Sequence, residues 1–132
     1  MDMILKPEEL LSGQSQTMKY KYFAIDFDGT IYNKVTKEIL QDAARVIQRI
    51  KDNQGEIAIW TCRTHEDEEE ALRILHENNI PYDVFNDTLP SVKSSWGDNG
   101  RKIWAEIYID DMSIHCRNGV NWSEIEEWIF GK

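Results

Sequence analysis

From residue 19 onward the chain alternates between short apolar runs and longer segments in which apolar residues recur every three or four positions. A short apolar run between turn residues is typical of a buried strand, and the longer period indicates an amphipathic helix. The pattern predicts strands over 20–27, 56–61, 82–85 and 105–109 and helices over 37–53, 64–78 and 121–130. Strands that alternate with helices predict an α/β fold, in which a parallel sheet carries helices on both faces.

The first 18 residues are set apart from this pattern by a polar stretch. Ser12-Gly13-Gln14-Ser15-Gln16 has the composition of a linker, and we expect 1–18 to be a loosely ordered tail. One domain over 19–132 fits the length, because a chain of 132 residues buries about two-thirds of its unfolded surface.

Composition and charge narrow the functional classes. Hydrophobic residues make up 41% and charged residues 30% of the sequence, and no apolar run approaches the ~18 residues of a membrane span. A net charge of −9 argues against general nucleic-acid binding. Cys62 and Cys116 show no metal-ligand spacing and no segment resembles a signal peptide, so we expect a cytoplasmic protein. The sequence leaves the oligomeric state open.

Two pairs of carboxylates follow predicted strands. Asp26 and Asp28 end the first strand, in FAIDFDGT, and Asp110 and Asp111 follow the last, in IYIDD. Ligands bind beyond the carboxyl ends of parallel strands, so these side chains are predicted to share one cleft. Two unit charges about 4 Å apart repel by roughly 4 kcal/mol at an effective dielectric constant near 20, and a bound cation would offset this repulsion. Carboxylates without clustered histidine or cysteine predict Mg²⁺, which binds few carboxylates and bridges to phosphate.

Other residues are suited to binding a phosphate group in the same cleft. Thr61 ends the second predicted strand and offers a hydroxyl, and Arg63 carries a planar fork of donors, although it also suits a solvated position. Lys102 precedes the last strand, and its spacing to Asp110 favours it over Lys93 as the phosphate-binding lysine. A metal, a lysine, a threonine and a free aspartate together predict a phosphoryl-transfer site.

An acidic run follows the second strand. Thr64-His65-Glu66-Asp67 resembles a capping box, and residues 66–70 are all acidic. The helix dipole favours negative charge in the first turns, so we interpret these acids as helix stabilisers without a functional role.

The order of these motifs resembles that of the haloacid dehalogenase superfamily of phosphohydrolases. DFDGT is similar to its first motif, 57–61 to its second, Lys102 to its third and IYIDD to its fourth. The WTCR stretch and the RK and YIDD sequences most resemble small, capless bacterial and phage hydrolases of this superfamily. One such motif indicates the superfamily with moderate specificity, whereas four motifs in the right order over 20–130 are a strong indication of it.

The resemblance implies a Mg²⁺-dependent phosphomonoesterase with a Rossmann-like sheet and its nucleophile on the central strand. Asp26 would attack phosphorus and form an aspartyl-phosphate, and Asp28 would act as general acid and then general base. Mg²⁺ would be held by the Asp26 side chain, the Asp28 main-chain carbonyl and Asp110, with Asp111 as a ligand or behind one. The phosphoryl group would be held by Thr61 and Lys102.

Many relatives carry a cap domain, for which this chain leaves little room. Residues 31–36 suffice only for a short flap, and 86–100 is predicted to be a long loop. We therefore expect a capless protein with an open cleft, which admits a large phosphorylated substrate or a small one covered by a partner. Trp96 either stacks on the substrate or anchors its loop to the core.

Two other functions stay open from the sequence. A phospho-acceptor signalling module also uses an aspartyl-phosphate, but its acidic pair follows the first strand, whereas here the pair comes last. A haloacid dehalogenase-like protein kept for binding phosphate or Mg²⁺, with little turnover, would have no need to retain Asp28.

Overall fold

The computed structural model describes residues 18–96, 103–112 and 119–131. Apart from Met18, the predicted tail lies outside these ranges, and so does Lys102. The domain boundary after residue 18 therefore stays a prediction.

The described residues form six strands and four helices. The strands are β1 (Tyr22–Asp26), β2 (Tyr32–Asn33), β3 (Glu38–Ile39), β4 (Glu56–Trp60), β5 (Val84–Phe85) and β6 (Ile107–Ile109). The helices are α1 (Ala43–Asp52), α2 (Glu66–Glu77), α3 (Pro90–Trp96) and α4 (Trp122–Phe130). In this part of the chain no helix has the length and apolar content needed to cross a membrane.

Four of the strands form a parallel sheet in the order β5-β4-β1-β6, which confirms the predicted sheet. The register sets Ile25 of β1 opposite Ile59 of β4 on one side and opposite Ile109 of β6 on the other. Because the strands are parallel, the residues that follow these three isoleucines emerge at the same edge of the sheet. β1 lies inside the sheet, so its last residue has a strand on either side.

Helices cover both faces of the sheet, as predicted. Alternate strand residues point to opposite faces. Ile25 and Ile59 belong to the larger core, which also contains buried residues of α1, α2 and α4. Ala24 and Ala58 face the other way and pack in a smaller cluster with Val92 of α3.

The helix predicted from residue 37 begins only at Ala43, because a short antiparallel hairpin of β2 and β3 precedes it. Lys37 and Asp42 have φ values of 62° and 68°, in the left-handed region that an α-helix does not contain. Ile39 and Leu40 pack against the same core as α1, so their apolar side chains extend its helical pattern along the sequence. The predicted helix was therefore too long at its start.

The segment predicted to be a long loop, 86–100, contains helix α3. Pro90 occupies the first position of this helix, where proline is well tolerated, and Leu89 and Val92 are buried against the alanine face of the sheet. The described residues contain no separate cap domain: only the β2-β3 hairpin lies between β1 and α1, and α3 is the only element between β5 and β6.

Candidate active site

Three carboxylates converge at the edge of the sheet where β1 and β6 end. Asp26 is the last residue of β1, and Asp110 and Asp111 directly follow β6. One oxygen atom from each of the three carboxylates lies within 4.8 Å of the other two, and all three residues are half-buried. The parallel register causes this convergence, because the pairing of Ile25 with Ile109 sets Asp26 beside Asp110.

Burial and the crowding of negative charge change the ionisation of two of these groups. Burial, followed by the charges of Asp110 and Asp111, raises the pKa of Asp26 from 3.8 to about 7. Burial and the neighbouring Asp110 also raise the pKa of Asp111. Without a nearby cation, Asp26 is therefore partly protonated at neutral pH, and a bound cation would restore its charge.

The loop that follows β1 is held by its own hydrogen bonds. The amides of Ile31 and Tyr32 donate to the Phe27 carbonyl at 2.9 and 3.1 Å. Thr30 is fully buried, its hydroxyl donates to Asp26 Oδ2 at 3.2 Å, and its carbonyl accepts from Trp122 Nε1 at 2.8 Å. Thr30 therefore fixes the Asp26 carboxylate from inside the protein.

Gly29 lets the carboxylate of Asp111 approach the backbone of this loop. A Cβ atom at Gly29 would lie 2.1 Å from Asp111 Oδ2, which is far inside van der Waals contact. Its φ of 82° is also in the region that favours glycine. Both the loop conformation and the place of Asp111 thus require a residue without a side chain.

Gly29→Ala is expected to weaken the Mg²⁺ binding predicted from the sequence about 10- to 100-fold, as is typical when groups around a metal site are displaced. The reason is that the new methyl group pushes Asp111 away from Asp26 and Asp110. Isothermal titration calorimetry with MgCl₂ measures the effect. Gly119→Ala is the matched control, since its φ of 113° is also left-handed but no heavy atom of the described residues, apart from its chain neighbours, lies within 4 Å of the added Cβ. Equal Mg²⁺ affinity in the two variants would contradict the crowding argument.

The side chain of Asp28 forms a two-pronged ion pair with Arg63. Arg63 donates from Nε to Asp28 Oδ2 and from Nη2 to Asp28 Oδ1, both at 2.9 Å. This pairing fixes both oxygens of the carboxylate, since a guanidinium fork matches its planar geometry. Asp28 does not belong to the group of three carboxylates that its neighbour Asp26 joins.

Arg63 is itself held from the other side by α2. Its Nη1 donates to Glu70 Oε1 at 2.9 Å and to the main-chain carbonyl of Asp67 at 3.0 Å. Its Cζ lies 5.2 Å from the centre of the Phe27 ring, and only 9% of its side chain is exposed. These contacts favour a role for Arg63 in orienting Asp28, and its predicted contact with substrate stays a prediction.

Thr61 lies at the carboxyl end of β4 and is buried. Its amide donates to Asn86 Oδ1 at 2.8 Å, and its hydroxyl oxygen accepts from the Arg63 amide at 3.2 Å. Among the described residues no group accepts the hydroxyl proton, so it is available to a ligand there, which suits the predicted phosphate contact. The sequence did not predict that Glu70 and Asn86 belong to the site. Glu70 contacts Arg63 from another element. Asn86 contacts Thr61, which is distant in the sequence, so a local pattern indicates neither contact.

The sequence offers two candidates for the phosphate-binding lysine, and the contacts do not choose between them. Lys102, the preferred phosphate-binding lysine, lies outside the described residues. Its rival Lys93 lies in α3 with half of its side chain exposed, and its Nζ is 3.7 Å from Asp87 Oδ2. The choice between them stays a prediction.

Comparison with known proteins agrees with this fold. Residues 23–87, from β1 to just beyond β5, match the family described as haloacid dehalogenase-like hydrolase. A solved structure, that of a conserved protein from Bacteroides thetaiotaomicron, superposes with a TM-score of 0.66 at 23% identity, over 81% of this chain and 88% of that one. No curated protein matches the sequence. The family match spans Asp26, Asp28, Thr61 and Arg63 but ends before Asp110.

Proposed function

We propose that this chain, which belongs to the haloacid dehalogenase superfamily, is a Mg²⁺-dependent phosphomonoesterase that forms an aspartyl-phosphate on Asp26. The observation that carries the proposal is the convergence of Asp26 with Asp110 and Asp111 at the end of an interior strand. Carboxylates that lie so close together attract a cation, and a phosphoryl group carries negative charge that the same cation would bind.

The three carboxylates fit a hard divalent cation. Their oxygens lie within 4.8 Å of one another, and Mg²⁺ binds oxygen ligands while it retains several waters. The residues that would hold the ion are Asp26, Asp110 and the main-chain carbonyl of Asp28, with Asp111 as a further ligand or hydrogen-bonded to one. When bound, Mg²⁺ supplies positive charge that keeps Asp26 ionised and neutralises the phosphoryl oxygens.

In the first chemical step, a carboxylate oxygen of Asp26 attacks the phosphorus of a phosphomonoester. The new oxygen–phosphorus bond forms as the ester bond breaks, and protonated Asp28 gives its proton to the departing alcohol oxygen. Water then attacks the phosphorus of the aspartyl-phosphate while Asp28, now a carboxylate, takes a proton from it. Inorganic phosphate leaves, and both aspartates return to their starting states.

The contacts of Asp28 are compatible with this exchange of protons. A carboxylate offers about four lone-pair positions, and the Arg63 fork occupies one on each oxygen. A remaining position on either oxygen is available to carry the proton. Arg63 thereby limits the rotation of the Asp28 carboxylate without occupying the positions that can carry the proton.

Thr61 is proposed to donate its hydroxyl to an oxygen of the phosphoryl group. Its oxygen accepts from the Arg63 amide, which leaves the hydroxyl proton to donate to a different group. Lys102 is proposed as the second phosphoryl ligand, on the resemblance to the third motif alone. The substrate is a phosphorylated small molecule or a phosphorylated end of a macromolecule, hydrolysed in the cytoplasm.

Phosphate release tests this proposal. The purified chain is incubated with p-nitrophenyl phosphate and with a panel of phosphorylated metabolites, in Mg²⁺ and in EDTA. We expect release in Mg²⁺ and a decrease of at least about 100-fold in EDTA, since metal charge stabilises the transition state by several kcal/mol. Undiminished release in EDTA would contradict the proposal. A folded, Mg²⁺-binding protein that acts on no member of the panel would point instead to a macromolecular substrate or to the binding role.

A further inference from the structure

The side chain of Asn86 replaces a main-chain carbonyl as the acceptor of one hydrogen bond at the end of the parallel sheet. In a parallel pair, one residue donates its amide to residue i of the neighbouring strand and accepts from the amide of residue i+2. Asn86 donates its amide to the Ile59 carbonyl at 2.8 Å, as a strand residue would. The amide of Thr61, two residues on, donates to Asn86 Oδ1 instead of to the main-chain carbonyl. The side chain thus continues the ladder that β5 abandons.

The backbone conformation of Asn86 explains why a side-chain oxygen has to take the place of the main-chain carbonyl. Its φ of 53° lies in the left-handed region, where the chain turns out of β5 towards α3. Asparagine tolerates this conformation better than most residues do. The chain therefore leaves the sheet at the mouth of the cleft, while the amide of Thr61 keeps a partner.

Only a side-chain amide meets both hydrogen-bonding demands at this position. The Thr61 amide can only donate, so the oxygen of Asn86 must face it, and the Asn86 Nδ2 group faces Glu68 Oε2 at 3.1 Å. An aspartate would instead place a second carboxylate against Glu68. Glu68 is half-buried, whereas the other four residues of the acidic run 66–70 are exposed, which is consistent with this contact.

We infer that Asn86 is a positioning residue that holds Thr61 in place for the phosphoryl group, with Glu68 holding Asn86. The inference rests on the proposed function, since it assigns Thr61 to the phosphoryl group. It also gives one residue of the acidic run a role beyond the helix dipole, because Glu68 acts through Asn86 on Thr61. The start of α2 is thereby connected to the end of β4.

Asn86→Gly is the direct test, because glycine keeps the left-handed backbone and removes only the side chain. We expect kcat/KM for p-nitrophenyl phosphate to fall about 10- to 100-fold, since a small displacement of a binding group has effects of this size. Asn79→Gly is the matched control, with a φ of 55° in the turn that follows α2, and it should leave activity unchanged.

Two further variants show whether the effect passes through Thr61. In a Thr61→Ala background, Asn86→Gly should change kcat/KM by less than about 2-fold, because residues that act through one another are not additive. Asn86→Asp should lower activity through repulsion of Glu68, and adding Glu68→Gln should restore it. A full additive effect in the Thr61→Ala background, or no rescue by Glu68→Gln, would overturn the inference.

Hydrogen exchange of the Thr61 amide, followed by NMR, separates this inference from the proposed function. Asn86→Gly should increase that exchange rate at least about 10-fold, and Asn79→Gly should not, because an amide without its hydrogen-bond partner exchanges through smaller openings. Faster exchange in a protein without phosphatase activity would contradict only the function. Unchanged exchange would overturn the positioning role, whether or not the protein is active.

Discussion

Asp26→Asn is expected to reduce phosphate release at least about 1,000-fold and, at the same time, to stabilise the metal-free protein at pH 8. The first effect follows because an amide cannot act as the nucleophile. The second follows because asparagine removes a charge that the folded protein holds unfavourably, partly buried and beside Asp110 and Asp111. Asparagine is close in shape to aspartate and still accepts the hydrogen bond from Thr30.

The pH dependence of this stabilisation follows from the pKa of Asp26, which folding raises from 3.8 to about 7. Below 3.8 the group is protonated in both states and contributes nothing. Between the two values the folded state binds the extra proton, so stability falls as pH rises, and the full penalty is present above about 7. Water still reaches this half-buried carboxylate, so we expect a gain of about 1–3 kcal/mol for Asp26→Asn at pH 8 and none near pH 3.5.

Urea unfolding at the two pH values, in EDTA, measures this gain. Asp52→Asn, on the exposed side of α1, serves as the control and should show no such difference. Mg²⁺ should then stabilise the wild-type protein more than Asp26→Asn, since the variant lacks one of the negative charges that attract the ion. A metal-free variant that is no more stable than wild type at pH 8 would contradict the crowding of charge at the site.

Arg63→Ala is expected to lower kcat about 100-fold and to destabilise the protein by about 2–3 kcal/mol. The variant frees the Asp28 carboxylate to rotate and leaves it without its partner, and it also removes the contact with Glu70. Arg63→Lys keeps the charge but not the fork, so we expect a decrease in kcat of about 10-fold with little change in KM. Kinetics on p-nitrophenyl phosphate provide both constants.

The two roles considered for Arg63 predict different kinetics. If Arg63 orients Asp28, kcat falls and KM changes little in both variants. If it binds the phosphate group of the substrate, KM rises instead. Arg73→Ala removes a neighbouring arginine that pairs with Glu70 and Glu77 on the exposed side of α2, and it should change neither constant. A rise in KM without loss of kcat in Arg63→Lys would exclude the orienting role.

The sheet and the charged motifs were predictable because they depend on short stretches of sequence. Phe23-Ala24-Ile25 is apolar enough to identify a buried strand, and the doublet Asp110-Asp111 follows a second one. The parallel arrangement then brings Asp26 and Asp110 to one edge without any knowledge of side-chain contacts. Local pattern and topology together therefore suffice for the three carboxylates.

Other features depend on contacts that a local pattern does not contain. The pairing of Arg63 with Asp28 joins residues 35 positions apart, and the same fork could have faced substrate. The predicted capping box at residue 64 was wrong, since α2 has His65 at its N-cap and no side-chain cap bond there. Helix α3 was missed because turn-forming residues flank it and its apolar signal is limited to three residues of the sequence, Leu89, Val92 and Trp96.

Mass spectrometry of the trapped intermediate tests the central claim most directly. In Asp28→Asn the second step lacks its general base, so the phosphoryl group should remain on the protein after a single turnover with p-nitrophenyl phosphate and Mg²⁺. After acid quenching and digestion, we predict a mass increase of one phosphoryl group on the peptide that contains Asp26, and no increase in EDTA or in the Asp26→Asn, Asp28→Asn double variant. Two results would contradict the account. In the first, the wild-type protein releases phosphate but the Asp26 peptide of Asp28→Asn stays unmodified; in the second, the phosphoryl group of Asp28→Asn is found on a different residue.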